Sequence, residues 1–122
     1  MFERLHHVQL AMWRGGEDAA RAFYGGLLQM TEVPKPPSLA GRGGVWFAQN
    51  RIELHLGVEE DFRPARKAHP GLLVTDIEEL ARRLSAAGES VTPQTDIPGF
   101  RRLHAHDPFG NRLEFLQRID RP

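Results

Sequence analysis

The chain has 122 residues, enough to bury roughly two-thirds of its unfolded surface in one compact unit. Its 16 Lys and Arg balance 16 Asp and Glu, and that neutrality argues against nucleic acid or an anionic membrane as the main partner. It has no Cys, no apolar run near the roughly 20 residues of a membrane span, and no apolar leader core after Met1-Phe2-Glu3-Arg4, so a cytoplasmic location is expected.

Residues 5–12 alternate as a strand, with Val8, Leu10 and Met12 on a buried face and His7 on the other. Trp13-Arg14-Gly15-Gly16 breaks it. Glu17-Asp18 then opens a helix, because acidic residues favour a helix N-terminus. Ala20, Phe23 and Leu27 keep helical spacing, and Gly25-Gly26 weakens the end. Residues 31–35 read as a short edge strand stopped by Pro36-Pro37. A Gly-rich loop at 38–44 leads to a strand at 45–48. Gln49-Asn50 is the expected hairpin turn into a strand at 51–58. The charged segment 59–68, with Pro64, reads as a linker.

The same order then returns. Residues 70–75 form a strand with His69 at its mouth. Asp76 is a plausible N-cap for a helix whose apolar stripe is Ile77, Leu80, Ala81, Leu84 and Ala87, stopped at Gly88. Strands follow at 90–95, 101–106 and 111–118, with turns at Pro98-Gly99 and Asp107-Pro108-Phe109-Gly110. The fold class is therefore α+β: two tandem βαβββ modules, about 5–58 and 69–118, making a curled eight-stranded mixed sheet with two flanking helices. The expected domain is single and spans residues 1–122.

The repetition extends to single residues. Asn50-Arg51-Ile52-Glu53-Leu54 and Asn111-Arg112-Leu113-Glu114-Phe115 differ only in which apolar side chain they carry. Glu53 and Glu114 are 61 residues apart, and His7 and His69 are 62 apart. One His near the start and one Glu near the end of each module suggest one ligand pair per copy. A lone strand His is ordinarily a polar residue with a partner, and a lone alternating Glu a solvated one. Four placed equivalently are different. If a pseudo-twofold axis brings the pairs together, the carboxylates repel unless a cation joins them. Two imidazoles with two carboxylates suit one divalent Ni, Zn, Co, Mn or Fe.

The two modules, the His opening each, and the Asp-Pro-x-Gly-Asn-Arg-Leu-Glu close at 107–114 resemble the vicinal oxygen chelate superfamily. That superfamily includes glyoxalase I, extradiol dioxygenases, epimerases and antibiotic-resistance proteins. The resemblance covers nearly the whole chain. It implies metal ligands at His7, Glu53, His69 and Glu114, an order similar to bacterial glyoxalase I. Without Glu53, the remaining His7, His69 and Glu114 match the facial triad of the dioxygenase branch. One departure concerns glutathione: the Arg and Asn that usually anchor it are here Ala11 and Gly57.

The expectation is a metal-dependent lyase, isomerase or epimerase that holds a small substrate through adjacent oxygens. The metal serves as Lewis acid for an enediolate, and Glu114 or Glu53 moves the proton. An Fe(II) extradiol-type dioxygenase and a metal-free sequestering protein of the bleomycin-resistance type are the alternatives. A homodimer is expected because modules of this size expose sheet edges. His55 shares the face of Glu53. A four-residue turn at 107–110 would pair Glu114 with Leu103 and turn His104 and His106 away, so both are left out of the site. Trp46, Phe47 and Phe100 read as core or cavity wall. Arg63, Arg66 and Lys67 read as a solvated linker face, and Gly41-Arg42-Gly43-Gly44 lacks the strand-to-helix context of a phosphate loop.

Overall fold

The alternating and helical patterns become eight strands and two helices in the computed structural model, which describes residues 1–119. Of the expected 1–122 domain, residues 120–122 lie outside the described residues. The chain divides into two compact units, Met1–Pro64 and a second beginning at Ala65, and the division falls within the charged segment 59–68.

The first unit is a four-stranded mixed sheet with order β1-β4-β3-β2. β1 (Val8–Met12) runs parallel to β4 (Ile52–Val58), while β3 (Val45–Gln49) is antiparallel to β4 and to β2 (Thr31–Val33). Met12, Val45, Phe47, Leu54 and Leu56 are buried, as the alternation demands. Each contributes roughly 1.5–3 kcal/mol by leaving water. α1 (Glu17–Ala20) continues directly into a π-helical stretch, Arg21–Leu27, closed by Leu28 N donating to Phe23 O. This widened turn, at the Gly25-Gly26 pair, seats adjacent Phe23 and Tyr24 in the core together, with Tyr24 stacked on Phe47.

Several boundaries differ from the expectation: β2 stops at Val33 rather than at residue 35, and two other differences bear on the site. β1 begins at Val8, so His7 lies just ahead of the strand. The β3–β4 hairpin turns on Asn50-Arg51 rather than Gln49-Asn50, because Gln49 pairs with Ile52. Asn50 takes φ 54°, a left-handed conformation that Asn tolerates and tight hairpins require.

The second unit repeats the plan, with sheet order β5-β8-β7-β6. β5 (Gly71–Leu73) is parallel to β8 (Arg112–Arg118), and β7 (Phe100–His106) is antiparallel to β8 and to β6 (Val91–Ile97). β6 is outermost in its sheet, where Pro93 is tolerated, and it is irregular between Gln94 and Ile97. α2 (Ile77–Ala86) is capped by the Asp76 side chain, which accepts from Glu79 N at 3.0 Å. Its Ile77, Leu80 and Leu84 are buried, as are Leu72, Leu103, Leu113 and Phe115 of the sheet.

The β7–β8 connection corrects the expected register. Glu114 pairs with His104, and Leu103 pairs with Phe115. The loop has one residue more than the four expected. Asp107 Oδ1 accepts from Phe109 N at 2.9 Å and from Asn111 N at 2.8 Å, while Oδ2 accepts from Asn111 Nδ2 at 2.9 Å. Those bonds draw Asn111 into the loop and start β8 at Arg112. His104 therefore faces the same side as Glu114.

Candidate metal centre

The second unit gathers the denser set of donors. β8 supplies Glu114, β7 places His104 directly opposite it, and His69 enters from just before β5. One donor atom from each of these three residues lies within 4.8 Å of the others. His69 Nε2 is 2.7 Å from Glu114 Oε1, and His104 Nε2 is 3.9 Å from the same oxygen. Arg102 Nη1 donates to the other oxygen, Oε2, at 3.3 Å. His69 Nδ1 donates to the Lys67 carbonyl at 2.7 Å. A backbone carbonyl can only accept, so that bond fixes the ring's orientation and its Nδ1 proton.

Burial would raise the Glu114 carboxyl, but the Arg102 guanidinium and the facing His69, when it carries a proton on Nε2, outweigh it and hold the group below its ordinary range. Burial lowers His104; Glu114 opposes that shift, and His69, Arg112 and Arg102 reinforce it. His104 Nε2 is buried and has no hydrogen-bond partner. An orphaned imidazole nitrogen beside a carboxylate and a second imidazole fits a borderline divalent metal.

The first unit holds a related but different arrangement. Glu53 and His55 share a sheet face, and His55 Nε2 donates to Glu53 Oε2 at 2.7 Å. That bond is the main cause holding Glu53 below its ordinary range. His55 is 3% exposed and lies in a ring stack, parallel to Trp46 at 3.7 Å and to His7 at 4.1 Å between centroids. His7 is exposed, and its shift is downward: burial contributes most, His55 and His6 add to it, and Glu53 opposes. Glu53 is thus bonded to His55, while His7 meets the ring of His55. The position opposite Glu53, where the second unit has His104, is Ala48. A cavity of about 540 Å³ opens beside Glu53, lined also by Arg4, His6 and Arg51.

Sequence reasoning missed His104. The signal that would have found it is the Asp107-x-x-x-Asn111 spacing, which lets both ends of the loop bond to each other. Phe47 is core, Trp46 walls the His55 stack, and the Phe100 ring lies 5.6 Å under the Arg118 guanidinium.

These shifts give a pH dependence for the metal-free protein. Unfolded His104 takes up its proton near its ordinary 6.5, and the folded form does so only at lower pH. Stability therefore falls as pH drops through that window. Glu114 adds a second stage. Its contribution is complete above about 4.5 and is lost as pH falls through its lower folded value. Melting temperature measured from pH 8 to 3 should fall in two steps, with the first reduced in His104→Gln to what the exposed His7 contributes. A flat profile between pH 7.5 and 5.5 would contradict the assignment to His104.

Tandem βαβββ units with His and Glu donors on their sheet faces define a protein of the vicinal oxygen chelate class. The sequence model of the Glyoxalase/Bleomycin resistance protein/Dioxygenase superfamily matches residues 4–115, and the chain belongs to that superfamily. A solved structure from Bacillus anthracis, described as a glyoxalase family protein, is similar at 42% identity with a TM-score of 0.93, covering 98% of both chains. Lactoylglutathione lyase from Agrobacterium tumefaciens is similar at 23% identity and TM-score 0.66, covering 90% of this chain and 91% of its own. A mutant of the fosfomycin resistance protein FosX from Listeria monocytogenes, complexed with Mn(II) and 1S,2S-dihydroxypropylphosphonic acid, matches at 16% identity and TM-score 0.79. That match covers 98% of this chain and 95% of its own. The last two likenesses are of fold alone. No curated protein sequence matches the chain.

Proposed function

We propose that the protein is a divalent-metal-dependent enzyme that holds a small substrate through adjacent oxygens for lyase, isomerase or epimerase chemistry. The observation that carries this reading is the His69–Glu114 contact, with the buried and unpartnered His104 Nε2 beside it. His69 and Glu114, with His7 and Glu53, are the proposed ligands; the metal would be Ni, Zn, Co, Mn or Fe. When bound, it supplies Lewis-acid polarisation of substrate oxygens. Arg102 holds Oε2 of Glu114 and keeps the carboxylate charged and oriented. Glu114 and Glu53 are the proposed proton carriers, since each is ionised at neutral pH and lies beside an imidazole. The cavity beside Glu53 has the volume of a small-molecule site, and its Arg4 and Arg51 favour an anionic substrate.

Elemental analysis of untagged protein, followed by calorimetric titration, tests the reading. A site tighter than about millimolar, weakening as pH falls through roughly 6, is expected. Weaker metal binding on substitution of His7, Glu53, His69 or Glu114 is the result expected of the proposed ligands. No binding of Ni, Zn, Mn or Fe(II), with an unchanged melting temperature in excess metal, would overturn the proposal.

Glutathione hemithioacetal should be a poor substrate. Ala11 pairs with Gly57 across β1 and β4, so neither position offers a charged or amide group for the glutathione carboxylate. A missing charge-assisted contact costs about 1.5–3 kcal/mol, or roughly ten- to a hundred-fold in kcat/KM. Turnover matching a dedicated glyoxalase would show that another residue supplies the anchor.

A homodimer is proposed as the working assembly. Each sheet ends in outermost strands, β1 and β2 in one and β5 and β6 in the other, which invite pairing or cover. Light scattering should give twice the 13.8 kDa chain mass, and a monomer at micromolar concentration would refute it.

A further inference from the structure

We infer that His104 is itself a metal ligand, so that the second unit alone presents a His69/His104/Glu114 donor set. The inference rests on the metal-dependent reading above and adds to it a residue that the alternation of the sequence turned away from the site.

His104 Nε2 is buried and makes no hydrogen bond. If it carries the proton, a buried donor has no acceptor; if it does not, a buried acceptor has no donor. Native proteins leave few such groups. Glu114 Oε1 is 3.9 Å away, beyond hydrogen-bond range.

His69 has the complementary difficulty. Its Nδ1 proton is committed to the Lys67 carbonyl. With one proton on the ring, Nε2 points a lone pair at Glu114 Oε1 from 2.7 Å, and two facing lone pairs repel. A second proton on His69 would relieve that contact but would leave His104 orphaned. A cation relieves both at once. It accepts the lone pairs of His69 Nε2 and Glu114 Oε1, and it gives His104 Nε2 a partner.

The spacing agrees. Donors about 2.1 Å from one ion lie on the order of 3–4 Å from each other. The observed separations are 2.7 Å, just below that range, and 3.9 Å, within it, and small side-chain rotations close the difference. The backbone enforces the arrangement, because His104 and Glu114 are direct cross-strand partners in the β7–β8 ladder. Arg102 occupies Glu114 Oε2 and leaves Oε1 as the ligand atom. The Lys67 carbonyl on His69 Nδ1 is the outer bond that orients a ligating imidazole. His106, two residues along on the same face, is exposed and outside the cluster, so it serves as the control.

The test is Co(II) and Zn(II) titration of untagged full-length protein by calorimetry, with the visible spectrum of the Co(II) form. His104→Ala and His104→Gln are compared with His106→Ala. Loss of the ligand should weaken Co(II) affinity at least ten-fold and change the band positions or intensities, while His106→Ala matches the parent protein. The Gln variant guards against a folding defect in the Ala variant, and both are checked by metal-free melting. A purely structural role for His104 would move the metal-free melting temperature and leave affinity and spectrum unchanged. That result overturns the inference and leaves the metal reading standing. If the parent protein binds neither ion, both fail.

Discussion

Replacing Glu114 with Gln should weaken metal binding by more than about a hundred-fold and reduce turnover by at least as much. Loss of a group that merely orients a ligand typically costs 10–100-fold, and Glu114 is itself a proposed ligand. Gln is nearly isosteric, so the β8 backbone and its pairing with His104 should persist. What disappears is the charge that His69 and Arg102 both face. Without it, two imidazoles and a guanidinium surround a neutral amide, and a cation entering there meets Arg102 uncompensated. The metal-free protein should lose only about 1–2 kcal/mol, because Arg102 keeps part of its surface in water and recovers some solvation. His55→Gln should cost less activity, since His55 bonds to Glu53 and is not a proposed ligand. Calorimetry and thermal melting separate the two effects. Metal affinity within three-fold of the parent protein would remove Glu114 from the ligand set.

The repeat was legible in the chain because it is written in features that fold locally. Alternation from Ile52 to Val58 and from Arg112 to Arg118 survives intact as β4 and β8, with Leu54, Leu113 and Phe115 buried and both Glu on the opposite face. The capping Asp76 and the Ile77/Leu80/Leu84 stripe mark α2 within one short stretch of sequence. What alternation cannot supply is the register between strands, because a shift of one residue reverses which side chains meet. The turn at 107–111 is set by side-chain bonds within it, and counting it as four residues exchanged His104 for Leu103 opposite Glu114. The π-helical end of α1 was hidden for a related reason: it depends on burying both Phe23 and Tyr24, a tertiary demand.

The two units also show how a repeat diverges in its chemistry while keeping its backbone. Opposite Glu53 stands Ala48, and opposite Glu114 stands His104. Each unit still places a second imidazole near its Glu: His55 two residues along the same strand in one, His104 across the ladder in the other. In the first unit that imidazole is saturated, bonded to Glu53 and stacked on Trp46 and His7. In the second its Nε2 has no hydrogen-bond partner. The unit whose imidazole nitrogen lacks a hydrogen bond has the more open donor set. The free nitrogen therefore lies on the β7–β8 ladder and not on β3–β4.

Asp107→Ala, outside the proposed ligand set, should destabilise the protein by roughly 3 kcal/mol and weaken metal binding. Asp107 is 4% exposed and bonds to Phe109 N, Asn111 N and Asn111 Nδ2. Removing it strands donors in the buried loop, and each unsatisfied buried donor costs about 1–3 kcal/mol, with incomplete additivity. For a chain of this size the melting temperature should fall by on the order of 10 °C. The effect on metal follows from register. The loop delivers Arg112 opposite His106 and hence Glu114 opposite His104. If the loop relaxes, that ladder frays from its turn end, and His104 and Glu114 are the third pair from it. Asp107→Asn retains one acceptor oxygen and should recover part of both losses. Thermal melting and Co(II) titration of the two variants check this together. A drop below about 2 °C for the Ala variant would mean that the backbone bonds Asp107 N to Asn111 O and Gly110 N to Asp107 O hold the loop alone. A full-sized melting shift with unchanged affinity would instead separate the loop from the placement of Glu114 and His104.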